Sequence, residues 1–193
     1  ERGIEHVLIA ARGSSDHAAI YGVYAIGALA GMPVALAAPS LVSRYERPMR
    51  LGRTLVVGIS QSGRSPDVVS VLEEAHRRNA LTLAITNDPA SPLADAAAEV
   101  VDLAAPERSV AATKSYTASL AAIATLAVVL GAAADADRLA LRELPGAMAR
   151  TLETPDAEIA DLASAVREMA ACAVLGRGFN LASAAEWALK LKE

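Results

Sequence analysis

Thr54-Leu55-Val56-Val57-Gly58-Ile59-Ser60-Gln61-Ser62-Gly63-Arg64-Ser65-Pro66 runs from six mostly apolar or β-branched residues into a hydroxyl-rich loop and then to a proline. Proline is tolerated in the first turn of a helix, where its missing N–H is no loss. The stretch therefore reads as strand, loop, helix. The same design occurs earlier, where His6-Val7-Leu8-Ile9-Ala10-Ala11 leads into Arg12-Gly13-Ser14-Ser15-Asp16. In both places a buried strand delivers serine hydroxyls and backbone N–H groups to the start of a helix. Such a junction can hold a phosphate monoester without a metal or a lysine. Two of them on one sheet point to a phosphorylated small molecule held from two sides.

Short apolar runs alternate with helical segments along the first two thirds of the chain. Strands are expected at His6–Ala11, Pro33–Ala38, Thr54–Ile59, Leu81–Thr86 and Val100–Leu103. Each is an unbroken run rather than an in/out alternation, as in strands covered on both faces. Helices are expected at Asp16–Ala30, at Ser65–Asn79, near Pro92–Ala97, and from about Thr113 onward. This pattern predicts an α/β fold, a doubly wound three-layer α/β/α sandwich on a five-stranded parallel sheet, with ligands at the C-terminal ends of its strands. From about Asp135 only helices are expected, at Asp135–Arg150 and Asp156–Ala171, the second capped by Thr154-Pro155. Ala171–Leu175 then reads as a strand, Gly176-Arg177-Gly178 as a turn and Leu181–Glu193 as a helix, the opening of a second copy of the architecture. The expected organisation is a first domain over 1–134, a helical connection over 135–170, and the start of a second domain over 171–193. A chain that opens without Met and ends inside a helical run reads as a piece of something longer.

The chain has 193 residues, 53% of them apolar but only 3% aromatic, so its core is expected to be Ala, Val, Leu and Ile. A formal charge of −4 without a basic block excludes a nucleic-acid footprint. The longest apolar stretch, Leu120 to Ala134, is too short and Ala-rich for a membrane span and reads as a buried helix. Cys172, the single cysteine, is expected to be a small core residue. His6, His17 and His76 lie on separate elements without metal-ligand spacing.

Gly58 to Ser65 has P-loop spacing, but Arg64 stands where that motif needs lysine. An arginine fork does not replace that point charge. The nucleophile elbow of hydrolases also fails, because Ser62 occupies the second glycine position. Gly176 and Gly178 lack the third glycine of the dinucleotide fingerprint, where Leu181 stands. A phosphate cup remains, built from Ser14, Ser15, Ser60, Gln61, Ser62 and Ser65. Any one of these serines alone reads first as a helix cap, and it is the two clusters together that point to a ligand. A third polar segment, Pro106 to Ser115, falls between the fifth strand and the longest helix, with Thr113 or Ser109 as its candidate cap. On the last helix Glu186, Lys190 and Glu193 share a face; taken alone they read as a solvated, salt-bridged stripe.

Together these residues resemble the SIS (sugar isomerase) domain family, over nearly the whole chain. Ser60-Gln61-Ser62-Gly63 with Ser65 resembles the family's phosphate loop, and Gly13-Ser14-Ser15 its first phosphate loop. Val110-Ala111-Ala112-Thr113-Lys114 resembles the V-A-S-T-K segment in the isomerase half of glucosamine-6-phosphate synthases. Glu186 to Glu193 resembles their E-G-A-L-K-L-K-E segment. By that match Glu193 would be the acid/base that moves a proton between sugar C1 and C2, with Lys190 a nearby active-site lysine. Val110, Ala112 and Thr113 would contact the sugar. Arg64 and Ser65, where the synthases have Glu and Thr, suit instead the SIS-type glucosamine-6-phosphate deaminases, as do the stretches Ala11 to Ala18 and Pro106 to Tyr116. Ala112 replaces a serine and offers no hydroxyl.

The resemblance implies an aminosugar-phosphate isomerase/deaminase that interconverts glucosamine 6-phosphate and fructose 6-phosphate with release of ammonia. The alternatives are the isomerase part of a glutamine–fructose-6-phosphate aminotransferase and a non-catalytic sugar-phosphate sensor. It further implies a cytoplasmic homodimer that acts on a small sugar phosphate with no metal or organic cofactor. Charge and apolar-run length add neither nucleic acid nor membrane as partners. A ring-opening histidine and a terminal lysine are expected further along than Glu193, so the 193-residue piece is expected to be inactive by itself.

Overall fold

The computed structural model describes residues 3–108, 111–132, 134–153 and 155–193. Its strands are β1 (His6–Ala10), β2 (Val34–Leu36), β3 (Thr54–Ile59), β4 (Leu81–Thr86) and β5 (Glu99–Asp102). Between and after them come helices α1 (Ser14–Ala30), α2 (Ser40–Ser43), α3 (Pro66–Arg77), α4 (Pro92–Asp95), α5 (Lys114–Leu130), α6 (Asp135–Thr151), α7 (Asp156–Val166) and α8 (Asn180–Lys190). The five strands form one sheet in the order β2-β1-β3-β4-β5, and every pair is parallel. β1 pairs with β2 on one side and with β3 on the other, Ala10 lying opposite Gly58. The chain therefore reverses its direction of travel across the sheet between β1 and β3. In open α/β sheets that reversal leaves a crevice at the C-terminal ends of the two strands.

Successive strand residues point to opposite faces, and the core divides accordingly. Val7, Ile9, Leu55, Val57, Ile59 and Ile85 meet Ala18, Ala25 and Ile26 of α1 and Ile123 and Ala127 of α5 on one face. Ala10, Val56 and Ala84 meet Val68, Val71, Leu72 and Ala75 of α3 and Leu93 of α4 on the other. The central strands β3 and β4 thus show no in/out alternation, their residues being apolar or threonine, because both faces are covered. The small residues foreseen from the composition are what let α1 and α5 lie against the sheet.

Several expectations need correction. β5 begins one residue early and is exposed along its length, because it is the sheet's edge. β2 shrinks to three residues on the opposite edge. α1 starts at Ser14, not Asp16, so the first serine pair belongs to the helix's opening turn. α2 was not foreseen. Residues 171–175 form no strand: neither edge of the sheet pairs with them, and Leu175 is 89% exposed. Cys172 lies in that segment and is exposed, not in the core. Thr154, the expected cap of α7, falls outside the described residues; Pro155 holds the cap position. α6 and α7 bury none of their described residues. Among the described residues no helix is long and apolar enough to cross a membrane.

Candidate functional site

Both serine loops open at the crevice between β1 and β3. Each turns on a glycine with positive φ. Gly13, at φ 58° and ψ −133°, carries the chain from β1 into α1. Gly63, at φ 63°, reverses the β3–α3 loop. L side chains rarely enter this half of conformational space. The Gly63 N–H donates to the Ser60 carbonyl at 3.0 Å, and the Gly63 carbonyl accepts from the Leu93 N–H at 3.0 Å, so the loop is fixed to α4 as well. Ser65 occupies the cap position of α3, yet its side chain makes no capping hydrogen bond. Ser14 and Ser15 lie inside the first turn of α1, where backbone N–H groups have no carbonyl of their own helix ahead of them.

A cleft of about 340 Å³ at this edge is lined by Gly13, Ser14, Ser15, Ser60, Gln61, Ser62 and Ser65 from the two loops. Arg12, Ile59 and Val68 flank them, Ala112 closes one side, and Leu189 and Glu193 from the end of α8 close another. All six residues expected to hold phosphate therefore share one cavity with Glu193. A larger hollow of about 480 Å³ lies at the opposite, N-terminal ends of β3 and β4, lined by Arg50, Arg53, Thr54, Arg78 and Leu81 among others. It carries neither serine loop, and the C-terminal edge is where this fold class places ligands.

Two ion pairs brace the loops. Arg12 hydrogen-bonds Asp67 in the first turn of α3, and Asp67 also accepts from the Ser43 hydroxyl at 3.0 Å. The Arg12 guanidinium and then the Ser43 hydroxyl hold the Asp67 carboxyl below the usual carboxylate range. This contact spans the cleft's mouth from the β1 loop to the β3 loop. Arg64 turns instead to Asp88, 2.9 Å away, and does not line the cleft.

The third polar segment is organised by a residue the sequence reading did not single out. Glu107 accepts the backbone N–H groups of Thr113 (2.8 Å) and Ser115 (3.2 Å), and both their hydroxyls, at 3.1 and 3.0 Å. It does the work that a capping side chain would do at the start of α5, and Thr113 itself makes no side-chain cap. The Thr113 hydroxyl is thus committed to Glu107 and is absent from the cleft lining, whereas Ala112 reaches it. Val110 and Ser109 fall outside the described residues.

These bonds, led by the two backbone N–H donors, lower the Glu107 pKa to about 2 from an ordinary 4.5. A carboxyl whose folded pKa is depressed stabilises the fold above its unfolded value and loses that contribution as pH falls through the folded one. Glu107→Gln is therefore expected to melt a few degrees below the parent at pH 7. The gap should narrow from about pH 4.5 downward and close near pH 2. Thermal melts at pH 7, 4 and 2.5 check this; a gap that is constant across the series contradicts it.

α8 brings the last group of residues. Ring contacts of Phe179 with Tyr21 and Tyr24 of α1, centroids 5.9 and 6.0 Å apart, dock its N-terminal end. Glu186 is only 6% exposed, so the face it shares with Lys190 and Glu193 is not a solvated stripe. Its Oε2 lies 2.7 Å from His17 Nδ1 on α1. A carboxylate can only accept, so Nδ1 carries the hydrogen. Its Oε1 is 3.6 Å from Lys190 Nζ, which also hydrogen-bonds Glu193 Oε2. Burial works to lower the Lys190 pKa, but the hydrogen bond to Glu193 and the charge of Glu186 outweigh it and keep the ammonium above the ordinary lysine range. Lys190 itself does not line the cleft; it reaches it through Glu193. His17, Glu186, Arg12 and Glu107 went unassigned in the sequence. Arg12 adjoins Gly13 in the quoted loop and was the easiest to find.

A family model described as the SIS domain matches residues 2–129. The glutamine–fructose-6-phosphate aminotransferase (isomerizing) of Gloeobacter violaceus is 38% identical over 199 aligned residues, covering 98% of this chain and 32% of the relative. The chain thus spans about a third of the length of the curated relatives it matches. Among solved structures, a protein assigned as a phosphosugar isomerase from Silicibacter pomeroyi superposes with a TM-score of 0.89 at 42% identity, over 99% of this chain and 57% of that one. The C-terminal domain of the glucosamine–fructose-6-phosphate aminotransferase of Francisella tularensis gives 0.88 at 28% identity, over 99% and 56%.

Proposed function

This chain belongs to the SIS domain family, and on that premise we propose that it is the phosphate-holding part of an aminosugar-phosphate isomerase. The chemistry is aldose–ketose interconversion, as in the isomerase half of the aminotransferases it resembles. In this reading residues 1–134 are a first SIS domain, 135–170 a helical connection and 171–193 the start of a second. Ser14, Ser15, Ser60, Gln61, Ser62 and Ser65 take the 6-phosphate. Glu193 moves a proton between C1 and C2, with Lys190 holding that carboxylate from outside the cleft. Ala112, which reaches the cleft lining, belongs to the sugar side, while Thr113 supports the loop through Glu107. The observation that carries the reading is that Glu193 and both serine loops line one cleft. Its volume of about 340 Å³ falls in the usual small-molecule range of roughly 300–1,000 Å³. Phosphate binding remote from the reacting carbons orients them and offsets the entropy of ordering the open-chain sugar. No step of this proton transfer calls for a cofactor. A cytoplasmic homodimer completes the proposal.

The sequence reading put a deaminase first, and the aminotransferase relatives favour the isomerase half instead. A deaminase keeps support as a second reading. Arg64 and Ser65 fit it, and the 42% identical Silicibacter structure is spanned to nearly the same share as an isolated isomerase domain, 57% against 56%. The test uses the full-length protein with glucosamine 6-phosphate, and separately with fructose 6-phosphate plus glutamine. Aminosugar formed only from glutamine supports the aminotransferase; ammonia and fructose 6-phosphate released from the aminosugar support the deaminase. Tight sugar-phosphate binding with no turnover in either direction contradicts both and leaves a sensor.

A further inference from the structure

We propose that His17 is a positioning residue that keeps Lys190 on Glu193 by occupying the buried Glu186 carboxylate from the opposite helix. The proposal rests on the reading of Glu193 as the proton-transfer carboxylate. Lys190 stands between two carboxylates on α8, in hydrogen-bond contact with Glu193 and 3.6 Å from Glu186 Oε1. A single ammonium cannot serve both equally, and the buried carboxylate is the stronger competitor, since an unpaired buried charge is the costlier of the two. Glu186 is 6% exposed, and its Oε1 has no hydrogen-bond donor among the described residues. Tyr116 of α5 offers a buried hydroxyl that makes no hydrogen bond there either; burial, then the charge of Glu186, push its pKa up to about 12. What satisfies Glu186 is His17, 2.7 Å from Oε2 and itself largely buried on α1. Take that donor away, and Glu186 would draw Lys190 toward itself and off Glu193. Glu193 would then lose its fixed orientation at the mouth of the cleft. His17 does not line the cleft, so it acts only through this chain of contacts.

The test is made in the full-length protein with His17→Leu, His17→Asn and Glu186→Gln, alone and combined. Leucine removes the donor; asparagine carries an amide N–H at about the reach of Nδ1. In His17→Leu we expect kcat for aldose–ketose interconversion to fall about 30- to 100-fold while KM stays within about threefold, the size of effect that a misplaced reacting group gives. His17→Asn should stay within about fivefold of the parent. Combining His17→Leu with Glu186→Gln should cost no more than Glu186→Gln alone, as for residues acting in one chain. A crystal structure of His17→Leu should show Lys190 Nζ within hydrogen-bond distance of Glu186 and parted from Glu193. That structural arm stands even if the parent protein turns over neither sugar phosphate, which would sink the functional reading separately. Lys190 still on Glu193 in His17→Leu overturns the proposal. So does a loss of thermal stability with kcat and KM worsening together and equally in the Leu and Asn variants, because a plain strut between α1 and α8 behaves that way.

Discussion

Glu193→Gln in the full-length protein is expected to lower kcat for aldose–ketose interconversion by roughly 10²- to 10⁴-fold, the usual worth of a general acid/base. KM should move by no more than about threefold. The split follows from the geometry: Glu193 closes one side of the cleft from the end of α8, whereas the phosphate-side groups come from the β1 and β3 loops. Glutamine keeps the shape and a hydrogen-bonding oxygen but cannot take up a proton. It also gives Lys190 a neutral partner in place of the carboxylate it now contacts. The fold should be untouched, because Glu193 lies beyond the last residue of α8. Steady-state kinetics with a thermal melt alongside make the check; a KM rise with kcat preserved would mean that Glu193 binds and does not catalyse.

Gly63→Ala should be the most damaging single change on the phosphate side, lowering kcat/KM by more than about 100-fold through loss of sugar-phosphate binding. Gly63 has φ +63°, and a Cβ there would overlap Ser91 Oγ and Cβ and approach Thr86 Oγ1 to 3.0 Å. Left-handed backbone alone costs an L residue about 1–2 kcal/mol. The overlap adds to it, because Ser91 is fully buried and its hydroxyl is already used by the Ala94 N–H at 3.4 Å. The loop must therefore leave its present path, carrying Ser62 and Ser65 with it. Gly13→Ala meets backbone strain without overlap: Gly13 has φ +58° and ψ −133°, a pairing that costs an L residue about 1–3 kcal/mol, but nothing lies within 4 Å of the added carbon. Its effect should be clearly milder, in binding and in melting temperature alike. Isothermal titration with fructose 6-phosphate reads both variants; equal losses in the two would show that overlap with Ser91 is irrelevant.

The α/β layer order was legible because β1, β3 and β4 are runs of mostly apolar or β-branched residues without in/out alternation, separated by helices of ordinary length. What the sequence could not say was which strands are neighbours. The sheet order puts β1 beside β3, and that adjacency turns two separate serine loops into one cleft. The expected strand at 171–175 illustrates the reverse error. Its apolar run suggested a strand, but a strand exists only when a partner is present, and neither edge strand pairs with it. Glu186 misled for a related reason. Spacing of i, i+4 and i+7 fixes a shared helix face but not what that face meets, and here it meets His17 on a helix 169 residues distant in sequence. Glu107 was hidden because a carboxylate can cap a helix from outside it, at a separation that no local capping pattern describes.

The most direct test is a crystal structure of the full-length Glu193→Gln protein soaked with fructose 6-phosphate. The phosphate is expected in the β1–β3 crevice, its oxygens about 3 Å from the hydroxyls and backbone N–H groups of Ser14, Ser15, Ser62 and Ser65. The side chain at position 193 should then lie within about 3.5 Å of C1 and C2. A phosphate seated instead in the arginine-lined hollow at the N-terminal ends of β3 and β4, or a sugar whose C1 and C2 point away from position 193, would contradict the account.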